Sequence, residues 1–421
     1  MISSSRTARI AAQIIPYAIA IALPLIPMLV QLADVAPRGV AIGGRGPAVV
    51  LALLIAAALI VGVVGMLAVW GRRILADLPL AAPIGVLIAS QIVATALGVY
   101  WQAGLFEIGC QIANFIVYVA FWRMMRDTTL RHRVLACYLV TGILAAVFAV
   151  GLTLSRHPPA AFAYEHGRAA GTFLQPNEFA GYMLFLIPVG IAQLTAPPAL
   201  RRLGLLAALV GCAGLALSFS RAAWLGACIG MPLLIARFGR RAVITYAIVA
   251  VAGFTIGVMT LRDVAHDPSE NASRIAVWRG ALRVAERYAL TGVGPLNFSR
   301  IYASLKMPDA AVNEVHAHDL PLNTLVENGV FGLAALIWVV VSSVREARSA
   351  RARIPAADAE RQLLFAGLAA AFAASAVQNL VDLVSTFVFL LWWPMLGLML
   401  GLAPAAESAG EKAAEVRPEA A

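Results

Sequence analysis

The chain has 421 residues, 61% hydrophobic and only 13% charged, with a mean hydropathy of +0.84. That composition excludes a soluble globular domain. The net charge of +10 does not point to nucleic acid, because the 32 basic residues are scattered between apolar runs and form no basic face.

Apolar runs of about 18–24 residues recur along the chain, each long enough to cross a bilayer core. In lipid every backbone polar group must be satisfied internally, so the runs are predicted as helices. Twelve are expected, at roughly 10–32, 47–70, 78–98, 103–122, 134–155, 177–195, 203–219, 223–238, 242–260, 322–344, 363–380 and 384–403. The first follows Arg6 and Arg9 and is too long for a signal-peptide core, so it reads as an uncleaved span. The fold class expected is an all-α polytopic membrane protein, one transmembrane domain over 1–403 and an Ala- and Glu-rich disordered tail over 404–421. Cys110, Cys137, Cys212 and Cys228 all fall inside spans, where they read as small packing residues with no disulfide or metal spacing.

Orientation follows from arginine. With the N-terminus in the cytoplasm, the inner segments hold twenty of the 32 basic residues. Seven of the other twelve lie in one outer loop, about 261–321, between spans nine and ten. Both termini are therefore expected inside. Five of the six histidines (His157, His166, His266, His316 and His318) fall on the outer side, in that loop or in the segment 156–176.

Four polar motifs interrupt the apolar pattern. Arg168-Ala-Ala-Gly-Thr-Phe-Leu-Gln-Pro-Asn177 ends in a helix start, with Pro176 at the mouth and Asn177 able to cap exposed N–H groups. The bland reading is a capped re-entry into the membrane; the functional one is an anion held by Arg168 and the helix end. Ser220-Arg221 sits in the shortest outer turn. It is either an arginine reaching to the interface beside Trp224 or a bidentate phosphate ligand.

The third motif, Ser273-Arg274 to Arg287, reads as an amphipathic helix capped by Ser273. Arg274 shares its packed stripe with Trp278, Ala281 and Ala285. Arg279, Arg283 and Arg287 take the opposite, solvent- or headgroup-facing stripe. Gly292-Val-Gly-Pro-Leu-Asn-Phe298 follows. The fourth motif is His318-Asp319 before the tenth span. On one helical wheel His318, Leu322, Leu325, Gly329 and Gly332 form a stripe whose glycines would let another helix approach closely. Glu327 points away and reads as structural.

Three outer arginines and a histidine suit a reaction on a phosphorylated lipid: arginines bind the anionic leaving group, and a histidine neutral near pH 7 takes a proton from an acceptor hydroxyl. The chain contains no Asp-x-Asp pair, so a metal-independent mechanism with no cofactor is the simpler expectation.

These residues resemble the O-antigen ligase/polymerase superfamily of bacterial inner-membrane glycosyltransferases, from about Arg168 to Val344. The ligases' histidine motif is a His, a small polar residue, nine residues, Gly, two residues and Gly; His318, Asp319, Gly329 and Gly332 match it, with Asp319 in place of the usual Asn, Ser or Gln. The resemblance implies a GT-C-like fold and a periplasmic catalytic loop. It further implies transfer of O-antigen polysaccharide from undecaprenyl pyrophosphate to a sugar hydroxyl of lipid A–core, with inversion at the anomeric carbon. Arg221 and Arg274 would bind the pyrophosphate, His318 would activate or position the acceptor, and Arg168, Asn177 and Asp382 would line the substrate site. Two other activities of the superfamily stay open, O-antigen polymerase and protein O-oligosaccharyltransferase, as does, from another class, a secondary transporter.

Overall fold

A computed structural model describes residues 6–24, 46–155, 167–173, 175–261, 270–307, 314, 316–383 and 386–404. The second half of the first expected span, His157, His166 and His266, and the tail from 405 lie outside the described residues. Among the described residues the regular structure is helical throughout.

Each expected span has its helix: α1 (Arg6–Ala22), α2 (Gly46–Trp70), α3 (Ala81–Leu97), α4 (Trp101–Met124), α5 (Thr128–Ser155), α6 (Pro176–Ile191), α7 (Pro198–Leu217), α8 (Arg221–Phe238) and α9 (Arg240–Leu261), then α12 (Leu320–Arg353), α13 (Ala359–Asn379) and α14 (Thr386–Gly401). The outer loop contributes α10 (Glu270–Arg287) and α11 (Phe298–Leu305). Eight of these helices are long and apolar enough to cross a membrane, and shorter apolar helices join them. The protein is thus an all-α polytopic membrane protein.

Burial is uneven. α6 lies at the centre, packed by α5, α7, α8, α13 and α14, and 83% of its apolar window is buried. α9 has none buried and shows Ile244, Ile248, Val249, Val251 and Ile256 to its surroundings, as a helix facing lipid does. α8 and α13 run antiparallel in close contact: a Cβ on Gly226 would overlap the Ala374 carbonyl, and Gly230 lies against the backbone from Ala370 to Ala374. Small residues of this kind bring membrane helices into van der Waals contact, where apolar burial alone gives no drive. Consequently α8 begins level with the end of α13.

The loop helices have a core of their own. Ala276, Val277, Ala281, Val284 and Ala285 of α10 pack with Val293, Phe298, Tyr302, Ala317 and Val326. Phe298 and Tyr302 stack at 4.9 Å. Arg279, Arg283 and Arg287 are exposed and Arg274 is half-buried, as the helical wheel predicts. Ser273 is not the cap, however: α10 starts at Glu270, one turn earlier.

Candidate functional site

α12 is one helix in length but two in geometry. Gly329 has φ 65° and ψ −168°, a conformation that only glycine adopts readily. The break exposes backbone groups of α12 to the Gly292-Val-Gly-Pro segment. Val293 N–H donates to the Val326 carbonyl at 3.0 Å, Gly294 N–H to Glu327 at 2.9 Å, and Val330 N–H to Ala289 at 2.8 Å. A Cβ on Gly329 would overlap the Leu290 carbonyl, and one on Gly292 would overlap the Glu327 backbone. The expected stripe from His318 to Gly332 therefore does not exist: the wheel was carried across a break that resets its phase. Gly329 admits a loop rather than a second helix. Glu327 is structural, as expected. Its Oε1 accepts from Phe298 N–H at 3.4 Å and its Oε2 from the Asn323 side chain at 3.2 Å.

His318 stands just before the first half of α12, with φ +54°. The chain around it is fixed by the helix start. Asp319 is the N-cap, its Oδ1 accepting Leu322 N–H at 2.6 Å, and Asn323 Oδ1 reaches back to Ala317 N–H at 3.0 Å. Asp319 thus serves as a helix cap, a role to which Asp is well suited.

Both ring nitrogens of His318 meet carboxylates. Nδ1 lies 3.2 Å from Asp382 Oδ1, and Nε2 lies 2.9 Å from Glu314 Oε2. Burial alone would depress the histidine, but these two hydrogen bonds and the charges behind them outweigh it and raise its pKa to about 9. This favours the imidazolium over the neutral ring expected near pH 7. Glu314 is in turn held below the usual carboxylate range by its bond to His318. His316 packs edge-on to His318 at 4.4 Å and accepts the His318 N–H on its own Nδ1 at 3.2 Å. Burial, then the neighbouring cation, pushes His316 down to about 4, so it is neutral and free to accept.

Asp382 ties this histidine to an arginine. It follows α13, is 3% exposed, and is positioned by its N–H on the Gln378 carbonyl at 2.8 Å. Its second oxygen faces Arg274 Nη2 at 3.7 Å, while Arg274 Nη1 donates to the Val381 carbonyl at 3.0 Å. Residues from α10, the start of α12 and the end of α13 thus meet in one charged cluster.

The other expected residues lie at the same end of the bundle. Arg168 Nε donates to the Ser218 carbonyl at 2.9 Å and Nη2 to Asn177 Oδ1 at 2.8 Å, and the arginine is only 9% exposed. It braces the 167–173 segment against the α7–α8 turn and the start of α6. Asn177 does not cap α6, as was expected, because its amide oxygen takes Arg168; the N-cap position is Gln175, with no side-chain bond. The Asn177 carbonyl accepts from Gln378 on α13 at 2.9 Å, one turn before Asp382. Arg221 opens α8, half-buried, immediately after the turn that Arg168 braces.

Glu314 escaped the sequence reading, and His316 was noted only as one of five outer-side histidines. They precede His318 by four and two residues in an irregular stretch, where spacing carries no directional meaning. Their only signal was polarity.

No curated protein matches the chain. Residues 206–337, from the first half of α7 to the second half of α12, match the family model described as O-antigen ligase. That span includes Arg221, Arg274, the Gly329 break and both histidines, and over it the chain is similar to the O-antigen ligase superfamily.

Proposed function

We propose that the protein is an O-antigen ligase, transferring O-antigen polysaccharide from undecaprenyl pyrophosphate to a sugar hydroxyl of lipid A–core. The observation that carries this reading is the Arg274–Asp382–His318 cluster, assembled from three distant segments at one end of the bundle, two of them within the matched region. The reaction class it supports is glycosyl transfer from a pyrophosphate-linked donor.

In this scheme the pyrophosphate lies on the guanidinium groups of Arg221 and Arg274, which neutralise its charge as it leaves. The acceptor oxygen attacks C1 of the donor sugar from the opposite face. The C1–oxygen bond breaks, its electron pair stays on the pyrophosphate, and the configuration inverts. In the neutral form of His318, with Nε2 unprotonated and Nδ1–H on Asp382, the hydroxyl proton passes to Nε2. Asp382 keeps Nδ1–H oriented and stabilises the imidazolium that forms. For this the acceptor hydroxyl takes the place that Glu314 holds against Nε2. Arg168 and Asn177 hold the α6 and α8 ends in register beneath the donor. The arrangement fits a periplasmic site in a bacterial inner-membrane protein with both termini cytoplasmic, a loop over 261–321 that carries catalysis, and an overall GT-C-like plan.

The test is a lipopolysaccharide gel on a deletion strain, with a parallel measurement of lipid-linked polymer. The expected result is core without O-chain while long undecaprenyl-linked polymer accumulates. Core bearing one repeat unit would identify a polymerase instead, and an unchanged ladder would remove both readings.

A further inference from the structure

α13 joins two charged clusters. Its far end carries the Asp382 site, and its start carries Glu360, which takes Arg131 at 3.4 Å and His132 at 2.6 Å. Twenty-one helical residues separate these ends, about 30 Å of rise. At the Glu360 end the cations are Arg123, Arg126 and Arg353, beside Trp122.

These arginines differ in how they are satisfied. Arg123 Nε and Nη2 donate to the carbonyls of Ile74, Arg73 and Ala76 at 3.0, 2.6 and 2.5 Å, closing the turn that follows α2. Arg126 stacks on the same buried Trp122 ring, its Cζ 4.7 Å from the centroid against 4.4 Å for Arg123. Its Nε is buried and has no acceptor among the described residues. The charges acting on Arg126 are a further arginine, Arg353 at the end of α12, and one carboxylate, Asp77. Two guanidinium groups on one indole, with a third nearby and one carboxylate in opposition, leave an excess of positive charge. A buried donor without an acceptor costs about 1–3 kcal/mol, so an anion reaching Arg126 would relieve both.

The surroundings identify the kind of anion. The helix leading into the Arg73–Ala76 turn, α2, exposes Ile60, Val61, Val64 and Leu67, and the turn itself exposes Leu75. The helix ending at Arg353, α12, exposes Val340, Val341 and Val344 about two and a half to three and a half turns earlier. Apolar helix faces thus run down to a cationic tip from two sides, as acyl chains run down to a phosphate. We propose that Arg126, with Arg123 and Arg353, binds the phosphate of an anionic phospholipid at the end of the bundle opposite His318.

The test uses the purified full-length protein in a neutral detergent and follows thermal unfolding with added lipid. Phosphatidylglycerol should raise the midpoint by about 5 °C, with phosphatidylcholine giving no rise. Arg126→Gln should remove most of that shift. Arg353→Gln, at an exposed helix end and so harmless to folding, should remove about half, which keeps the test decisive should Arg126→Gln fail to fold. An unchanged phosphatidylglycerol shift in Arg353→Gln and in any folded Arg126→Gln, or equal shifts with both lipids, would overturn the proposal. A full shift with millimolar inorganic phosphate alone would overturn the lipid as the source of the anion.

Discussion

Replacing Glu314 by Gln should make the enzyme faster at neutral pH. His318 is held between two carboxylates, at 3.2 Å and 2.9 Å, with its pKa raised to about 9. A general base must be neutral, so kcat/KM, which reports the free enzyme, should rise with pH along a limb centred near 9. At pH 7 about 1% of the histidine is neutral. An opposite charge in contact is worth about 1–3 pKa units. Glu314→Gln keeps a hydrogen-bonding side chain but removes that charge, so the limb should fall by at least about one unit. The neutral fraction at pH 7, and with it kcat/KM, should then rise about tenfold, equivalent to about 1.4 kcal/mol. The assay is transfer from lipid-linked glycan to a core acceptor at subsaturating donor, from pH 6 to 10, on variants shown to be monodisperse. Asp382→Asn provides the contrast. It also removes a charge from His318, but it releases Nδ1 and Arg274 together, so transfer should fall at every pH. A Glu314→Gln profile that overlays the wild type would refute the reasoning, as would a kcat/KM that is flat from pH 7 to 10 in both proteins.

Further outcomes follow from the same geometry. Gly329→Ala should cost about 3 kcal/mol or more in thermal unfolding, since it adds a strained backbone to an overlap with Leu290. Gly109→Ala, in α4 with open space around it, should be neutral or stabilising by up to about 1 kcal/mol. Asp319→Ala should lose about 1 kcal/mol of helix capping while Asp319→Asn holds both stability and transfer, readable from melting curves and the gel assay together. Glu360→Ala should destabilise by about 3 kcal/mol, because it deprives the buried Arg131 of its carboxylate, with donor affinity measured on the folded fraction unchanged.

The membrane helices were legible because an apolar run longer than a bilayer leaves the chain no alternative to helix. Arg274 was legible for a related reason, since an amphipathic wheel distinguishes a lone arginine on the packed stripe from three on the open one. The cluster itself was not. His318 meets Asp382 across 64 residues and Arg274 meets Val381 across 107, and no local pattern encodes such pairings. Asp382 was assigned to the substrate site through the family resemblance alone, as a polar residue at the end of a span. The wheel drawn through the tenth span failed because Gly329 is a break, and a periodic projection assumes that there is none. Asn177 was misread in a similar way: its place at a helix start suggested a cap, but an arginine nine residues earlier claims its oxygen.

The break also shows why two motifs that looked separate in the sequence belong together. Gly292-Val-Gly-Pro and the Gly329 turn are the two halves of one contact, joined by three backbone hydrogen bonds and closed to any Cβ at Gly292 and Gly329. One half follows directly from α10, which carries Arg274; the other continues the short helix that begins at Asp319, beside His318. The contact therefore sets how far α10, with Arg274, stands from the histidine, while Asp382 bridges the remaining gap from α13. A histidine at a helix mouth and an arginine on a loop helix would otherwise be free to drift by several ångström, and misplacement by about 1 Å is enough to lose a hundredfold in rate. In the proposed mechanism Gly329 of the histidine motif, with Gly292, therefore helps to set the catalytic geometry.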